Sequence, residues 1–99
     1  MQTIDWASLR PEAAAKKGAG LELAVFLAER EGQAVIETLL GLTRPPSADE
    51  VAPLVRLCER FTLVSETTAA ASVPLVSLPA VLDHPLVRVV DAVSLAPIS

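Results

Sequence analysis

The chain has 99 residues, with 8 basic against 12 acidic side chains and a single cysteine, which bounds it to one small domain and excludes an internal disulfide or a Cys-based zinc centre. The net charge is -4 and only Lys16 and Lys17 adjoin each other, so the clustered cations that phosphate binding requires are missing and no nucleic-acid partner is expected. At 52% hydrophobic but 3% aromatic, the sequence is too apolar for intrinsic disorder and must build its core from Leu, Val and Ala.

Residues 1–33 read as an N-terminal arm with an extra helix or strand. Pro11 opens Glu12-Ala13-Ala14-Ala15-Lys16-Lys17 and Gly18 and Gly20 follow it, the Pro-then-Gly asymmetry of a short helix. In Leu21–Ala28 the residues Leu21, Leu23, Val25 and Leu27 alternate with Glu22, Ala24, Phe26 and Ala28, which favours a strand, although Leu, Ala and Glu are also good helix formers and one buried helix is the alternative. Arg30-Glu31-Gly32-Gln33 reads as a turn. Ala34–Leu42 is a strand-sized apolar unit bounded by Gly32 before it and Gly41, Pro45 and Pro46 at its end, and we take it as a buried strand.

Ser47-Ala48-Asp49-Glu50 has the capping-box spacing and predicts a helix start, with Val51, Leu54, Val55 and Cys58 as its apolar stripe. Pro53 fits only if it falls in the first turn, which leaves Ser47 and Asp49 as rival caps. Phe61–Ser65 and Ala69–Leu75, separated by the polar Glu66-Thr67-Thr68, read as a hairpin, with Pro74 at an edge or a strand end. Ser77 and Pro79 suit the start of a short helix whose Leu78, Val81 and Leu82 face a sheet, and Asp83-His84-Pro85 stops it. Val87–Val93 is the last strand, and residues 94–99 form an extended C-terminal tail. Strand, helix, strand, strand, helix, strand over residues 34–93 is the split βαβ order. The predicted fold is therefore α+β and ferredoxin-like: an antiparallel sheet with two helices on one face, the other face open, plus the N-terminal extension.

Few residues carry chemistry. A hydrolytic nucleophile needs a base, and the one imidazole, His84, sits in a helix-terminating turn where a solvated structural role is expected. Cys58 falls on an apolar stripe and reads as a small core hydrophobe. Trp6 reads as the pin of the N-terminal arm. No calcium loop is readable, and Gly18-Ala19-Gly20 lacks the rest of a phosphate-cradling motif. The expectation is a non-enzyme with no catalytic residues, no cofactor and no metal, acting by binding. The longest apolar run, Leu23–Ala28, is six residues, far below the ~20 of a membrane span, so no membrane partner is expected. The start of the sequence lacks a secretory signal, which implies a cytoplasmic location as given and leaves the compartment open if the chain is cut from a precursor.

From Val73 the sequence runs Val73-Pro74-Leu75-Val76-Ser77-Leu78-Pro79-Ala80-Val81-Leu82-Asp83-His84-Pro85-Leu86-Val87-Arg88-Val89-Val90-Asp91. This resembles the propeptide-like, peptidase-inhibitor N-terminal domain of subtilisin-like serine proteases, where a strand ending in V-P-L leads into a short L-P-x-L helix, a Pro-containing turn and a V-x-x-V strand. The order fits from about Ala34 to the end. Glu66-Thr67-Thr68 departs from it by lacking the hairpin glycine. The resemblance implies a prodomain-like module that helps a subtilisin-like protease fold or blocks it, in cis or in trans, through the open sheet face. Leu95, Ala96, Pro97, Ile98 and Ser99 would be the partner-binding tail, lying product-like in the substrate cleft. The alternative is a stand-alone adaptor, or a ferredoxin-like domain that pairs with copies of itself as a homo-oligomer.

Overall fold

Strand β1 (Val35–Leu42) alternates in burial as far as Leu40: Ile36, Thr38 and Leu40 are buried and Glu37 and Leu39 exposed, before Gly41 and Leu42 are both buried at its end. Period-two alternation of this kind sends one set of side chains to a core and the other to water. The structure, a computed structural model, describes residues 6–18 and 20–93. It is α+β, with helices α1 (Pro11–Ala14) and α2 (Leu21–Arg30) before β1, then α3 (Ala48–Leu57), β2 (Arg60–Ser65), β3 (Thr68–Pro74), α4 (Leu78–Leu82) and β4 (Val87–Ala92). The four strands form one open antiparallel sheet in the order β2-β3-β1-β4.

Register explains where the core lies. Leu40 is opposite Ala69 on β3 and Val90 on β4, and Ile36 is opposite Val73. All five are buried, and they share one cluster with Ala13 of α1, Leu21, Val25 and Ala28 of α2, Leu54 of α3, and Leu78, Val81 and Leu82 of α4. Every helix thus contributes to the core on the same side of the sheet. Thr38, also on that side and buried, donates its hydroxyl to the Ala71 carbonyl at 3.0 Å, which removes the cost of an unpaired polar atom there. A register shift between Gly41 and Leu42 returns Val87 to the core side, so β4 does not keep a simple period-two alternation.

The strand preferred for Leu21–Ala28 is wrong: the segment is the helix α2. Leu21, Val25 and Ala28, at i, i+4 and i+7, face the core, while Leu23, Phe26 and Leu27 point outward. The apparent alternation arose because both helix faces are apolar. The segment read as a turn is a helix stop, with Gly32 at φ 74°, its N–H donating to Glu29 O at 3.1 Å, and the Gln33 N–H donating to Ala28 O at 2.8 Å. That pair of bonds satisfies two terminal carbonyls and turns the chain into β1.

Ser47 caps α3: its hydroxyl accepts from the Glu50 N–H at 3.2 Å, and its own N–H donates to Glu50 Oε1 at 2.9 Å. With Ser47 as the cap, Pro53 lies in the second turn, and its exposed ring is accommodated inside the helix. The predicted stripe narrows to Leu54; Val55 is exposed and Cys58 is the C-cap, half-buried against the core. The hairpin between β2 and β3 closes through Glu66-Thr67 without a glycine, since no non-glycine residue described has a positive φ. Pro74 ends β3, where it interrupts no ladder, and a 3-10 turn over Leu75–Ser77 leads into α4. Ser77 makes no side-chain cap bond there.

Two outcomes follow for stability. Leu40→Ala opens a cavity at the sheet centre and lowers the unfolding free energy by about 3 kcal/mol, whereas Leu63→Ala on the exposed β2 costs under about 1 kcal/mol. Equal losses in urea titration would contradict this core. Gly32→Ala costs about 1 kcal/mol through backbone conformation alone, because a Cβ at Gly32 meets no atom; an unchanged midpoint would remove the helix-stop role.

Candidate interaction surface

The side of the sheet away from the core is built from the alternate residues of each strand. Register places Thr62, Ala70, Leu39 and Asp91 in one row across it, and Arg60, Ser72 and Glu37 in the next. Leu39, on a central strand, remains 39% exposed, and Glu37, Arg60, Thr62, Arg88 and Asp91 are all exposed. No helix residue of the core cluster lies on this side.

Small residues make its middle shallow. At Gly41 a Cβ would come within 2.6 Å of Val89 Cγ1 and 2.9 Å of Arg88 Nη2, so the glycine lets the Arg88 side chain lie down across β1. Ser72, buried, has its Oγ 2.8 Å from both carboxylate oxygens of Glu37 and donates to that carboxylate. The result is a mixed surface. Two cations, Arg60 and Arg88, and two anions, Glu37 and Asp91, surround a patch of Leu39 and Ala70, the pattern of an apolar centre with a polar rim.

The edges of the sheet differ. Lys16 O accepts from the Val90 N–H at 2.9 Å and the Gly18 N–H donates to Val90 O at 2.7 Å, so the N-terminal arm bridges the outer edge of β4. Gly18 is required by closeness: a Cβ there would collide with the Asp91 carboxylate. Among the described residues strand β2 pairs with β3 alone, and its Leu63 and Val64 are exposed. Near the end of α2 an open cleft of about 970 Å³ lies between Leu23 and Leu27 on one side and Val35 and Val93 on the other, with Glu31 and Glu37 as its charged groups.

The residues singled out in the sequence are scattered. His84 follows α4; its Nδ1 accepts from the Leu86 N–H at 3.1 Å and its carbonyl accepts from Lys16 Nζ at 2.8 Å. Burial, then the nearby Lys16 charge, lowers its pKa, and the ring acts as a lock on the turn into β4. Burial pushes the Cys58 thiol pKa up, away from the thiolate a nucleophile requires. Trp6 packs on the core with the Lys17 ammonium 5.0 Å from its ring centre, an arm pinned as the sequence suggested. Among the described residues no group of three or more His, Cys, Asp or Glu could hold a metal ion, and no helix is long and apolar enough to cross a membrane. The tail residues Leu95, Ala96, Pro97, Ile98 and Ser99 lie outside the described residues. The bare-face residues Glu37, Leu39, Ala70 and Ser72 were not picked out from sequence, because residue type alone does not separate Leu39 from Leu40.

Compared with protein-family models, curated proteins and solved structures, the chain matches none.

The His84 geometry has a pH consequence. Because burial, and then the nearby Lys16 charge, oppose protonation, the His84 pKa of the folded chain lies below the unfolded value. As pH falls below about 6.5 the unfolded chain binds a proton that the folded one does not, so stability declines with acidification and levels off below the folded pKa. His84→Gln should flatten the stability profile between about pH 7 and pH 5. Parallel wild-type and variant profiles, from urea unfolding at stepped pH, would contradict the lock.

Proposed function

We propose that the chain is a non-catalytic protein-binding module of ferredoxin-like topology that acts as a prodomain-like folding aid or inhibitor of a subtilisin-like serine protease. The observation that carries this reading is the sheet that, among the described residues, is covered by helices on one side and not on the other, with Leu39 exposed at its centre. The strand order β2-β3-β1-β4, with α3 between β1 and β2 and α4 between β3 and β4, supports the split βαβ assignment. The Val73–Asp91 segment supports the family resemblance in the same region.

Physically, such a face binds by shape and by its charged rim. A partner helix or flat patch can approach closely over Leu39 and Ala70, while Arg60, Arg88, Glu37 and Asp91 set orientation through charge complementarity. The tail Leu95-Ala96-Pro97-Ile98-Ser99 follows β4, and an extended segment there can add to a protease cleft by backbone hydrogen bonds. Pro97 restricts the free tail and lowers the entropy lost on docking. Binding and blocking are then separable: the face supplies attachment and the tail supplies obstruction.

The test uses the full chain and a mature subtilisin-like protease added in trans. The expected result is a complex and slowed peptide hydrolysis. Leu39→Arg should weaken binding by about 30-fold or more, as truncation at a central contact does, and removal of residues 94–99 should leave the complex but relieve inhibition. Absence of both a complex and any slowing would overturn the protease reading.

A further inference from the structure

The two edges of the sheet are finished differently. Lys16 and Gly18 of the N-terminal arm bridge the outer edge of β4, whereas among the described residues nothing pairs with the outer edge of β2. A free edge carries a row of unpaired backbone N–H and C=O groups, which another extended chain can satisfy in register. Both faces of β2 are also open. Thr62 points to the bare side with Ala70, and Phe61 and Leu63 point to the helix side with Ala71 and Ala69, yet Leu63 is 45% and Val64 59% exposed. The helix layer therefore covers β2 only in part. Arg60-Phe61-Thr62-Leu63-Val64-Ser65 is rich in β-favouring residues and holds no Pro or Lys, the residues that ordinarily blunt an edge.

We propose that the outer edge of β2 pairs antiparallel with β2 of a second copy of the chain, joining two four-stranded sheets into one. The strand selects both this occupant and its register. Alternate residues turn their backbone groups to the outer edge, so a two-fold ladder must be centred on a residue and not between two. Centring on Leu63 puts the irregular step between Leu63 and Ser65 in the middle of the ladder, and centring on Phe61 sets Arg60 diagonally against the other copy's Arg60. Centring on Thr62 avoids both. Thr62 then meets Thr62 on the bare side, and each Phe61 meets the other copy's Leu63 on the helix side, an aromatic–aliphatic cross-strand pair that covers the exposed Leu63. The charged residues from 56 to 67 are Arg56, Glu59, Arg60 and Glu66. Arg56 belongs to the last turn of α3, outside the ladder. Glu59, Arg60 and Glu66 fall opposite Ser65, Val64 and Cys58, so no like charges face each other. The nearest charge across the ladder from Arg60 is the other copy's Glu66, of opposite sign, two positions beyond Val64. The two-fold axis stands perpendicular to the sheet, so both bare faces lie on the same side and neither is covered. The proposal is therefore independent of the protease reading. Six residues span about 20 Å, which puts the contact in the small, weak class of interfaces, with a dissociation constant on the order of 100 μM.

Sedimentation equilibrium of the full chain from about 10 to 1000 μM should show a monomer–dimer equilibrium in that range. Thr62→Lys and Thr62→Glu each place like charges at the two-fold centre and should each raise the dissociation constant about 10-fold or more, with unchanged circular dichroism. An equimolar mixture of the two variants should recover the dimer, because a cation then faces an anion across the axis. In a sample mixed from labelled and unlabelled chain, intermolecular nuclear Overhauser contacts should join the Phe61 ring to the Leu63 methyl groups. Leu39→Arg should leave the dimer intact while it weakens protease binding, which separates this proposal from the function assigned to the bare face. A wild-type monomer throughout would overturn the proposal. So would a dimer indifferent to both Thr62 variants, one that their mixture does not restore, or one whose intermolecular contacts lie away from β2.

Discussion

Leu40 lies on a central strand between Ala69 and Val90, fully buried, and its contact with the helix layer decides the arrangement of everything else. Once Leu40 points into the core, Ile36, Thr38 and Leu42 must follow it and Glu37 and Leu39 must point the other way, since a one-residue slip would invert the whole strand. The partners are matched to that choice. β3 offers Ala69, Ala71 and Val73 on the core side, small enough to let α3 and α4 approach, and Thr68, Ala70 and Ser72 on the other. The bare face is thus a consequence of core packing rather than a separately built feature.

The polar groups reinforce the asymmetry. Thr38, on the covered side, is satisfied by a backbone carbonyl, while Ser72, on the bare side, is satisfied by the Glu37 carboxylate. A carboxylate held over a hydroxyl at the surface costs little, whereas the same pair inside the core would carry the desolvation of a charge. Arg88 across Gly41 and Asp91 beside Gly18 show the same economy of space: glycines stand where a charged side chain lies against backbone. The described part of the N-terminal arm bridges the β4 edge through Lys16 and Gly18, so edge protection there is handled by residues other than those of the bare face.

How much of this was legible in the sequence depended on whether local chemistry had one solution. The Ser47–Glu50 box signals a helix start from local chemistry, although Pro53 left Asp49 as a rival cap, and the strand-sized unit before it and the hairpin after it were readable from their turn residues. α2 was misread because Leu23 and Leu27 fill the positions that separate an alternating strand from a two-faced helix; only the tertiary neighbours of Leu21, Val25 and Ala28 decide between them. Pro53 and Ser77 failed for a related reason, since the packing of Leu54 and the 3-10 turn before α4 override the local preference. The bare face could not be located before strand register was known, because a residue such as Leu39 is indistinguishable by type from Leu40.

The most direct test of the half-covered sheet measures solvent contact residue by residue in the free chain. With a soluble gadolinium chelate, methyl relaxation should be strongly enhanced at Leu39 and at the bare-side Ala70, and weak at Leu40, Ala71 and Val90. Equal shielding of Leu39 and Leu40 would mean that both faces are covered, and would contradict the docking surface on which the functional reading rests.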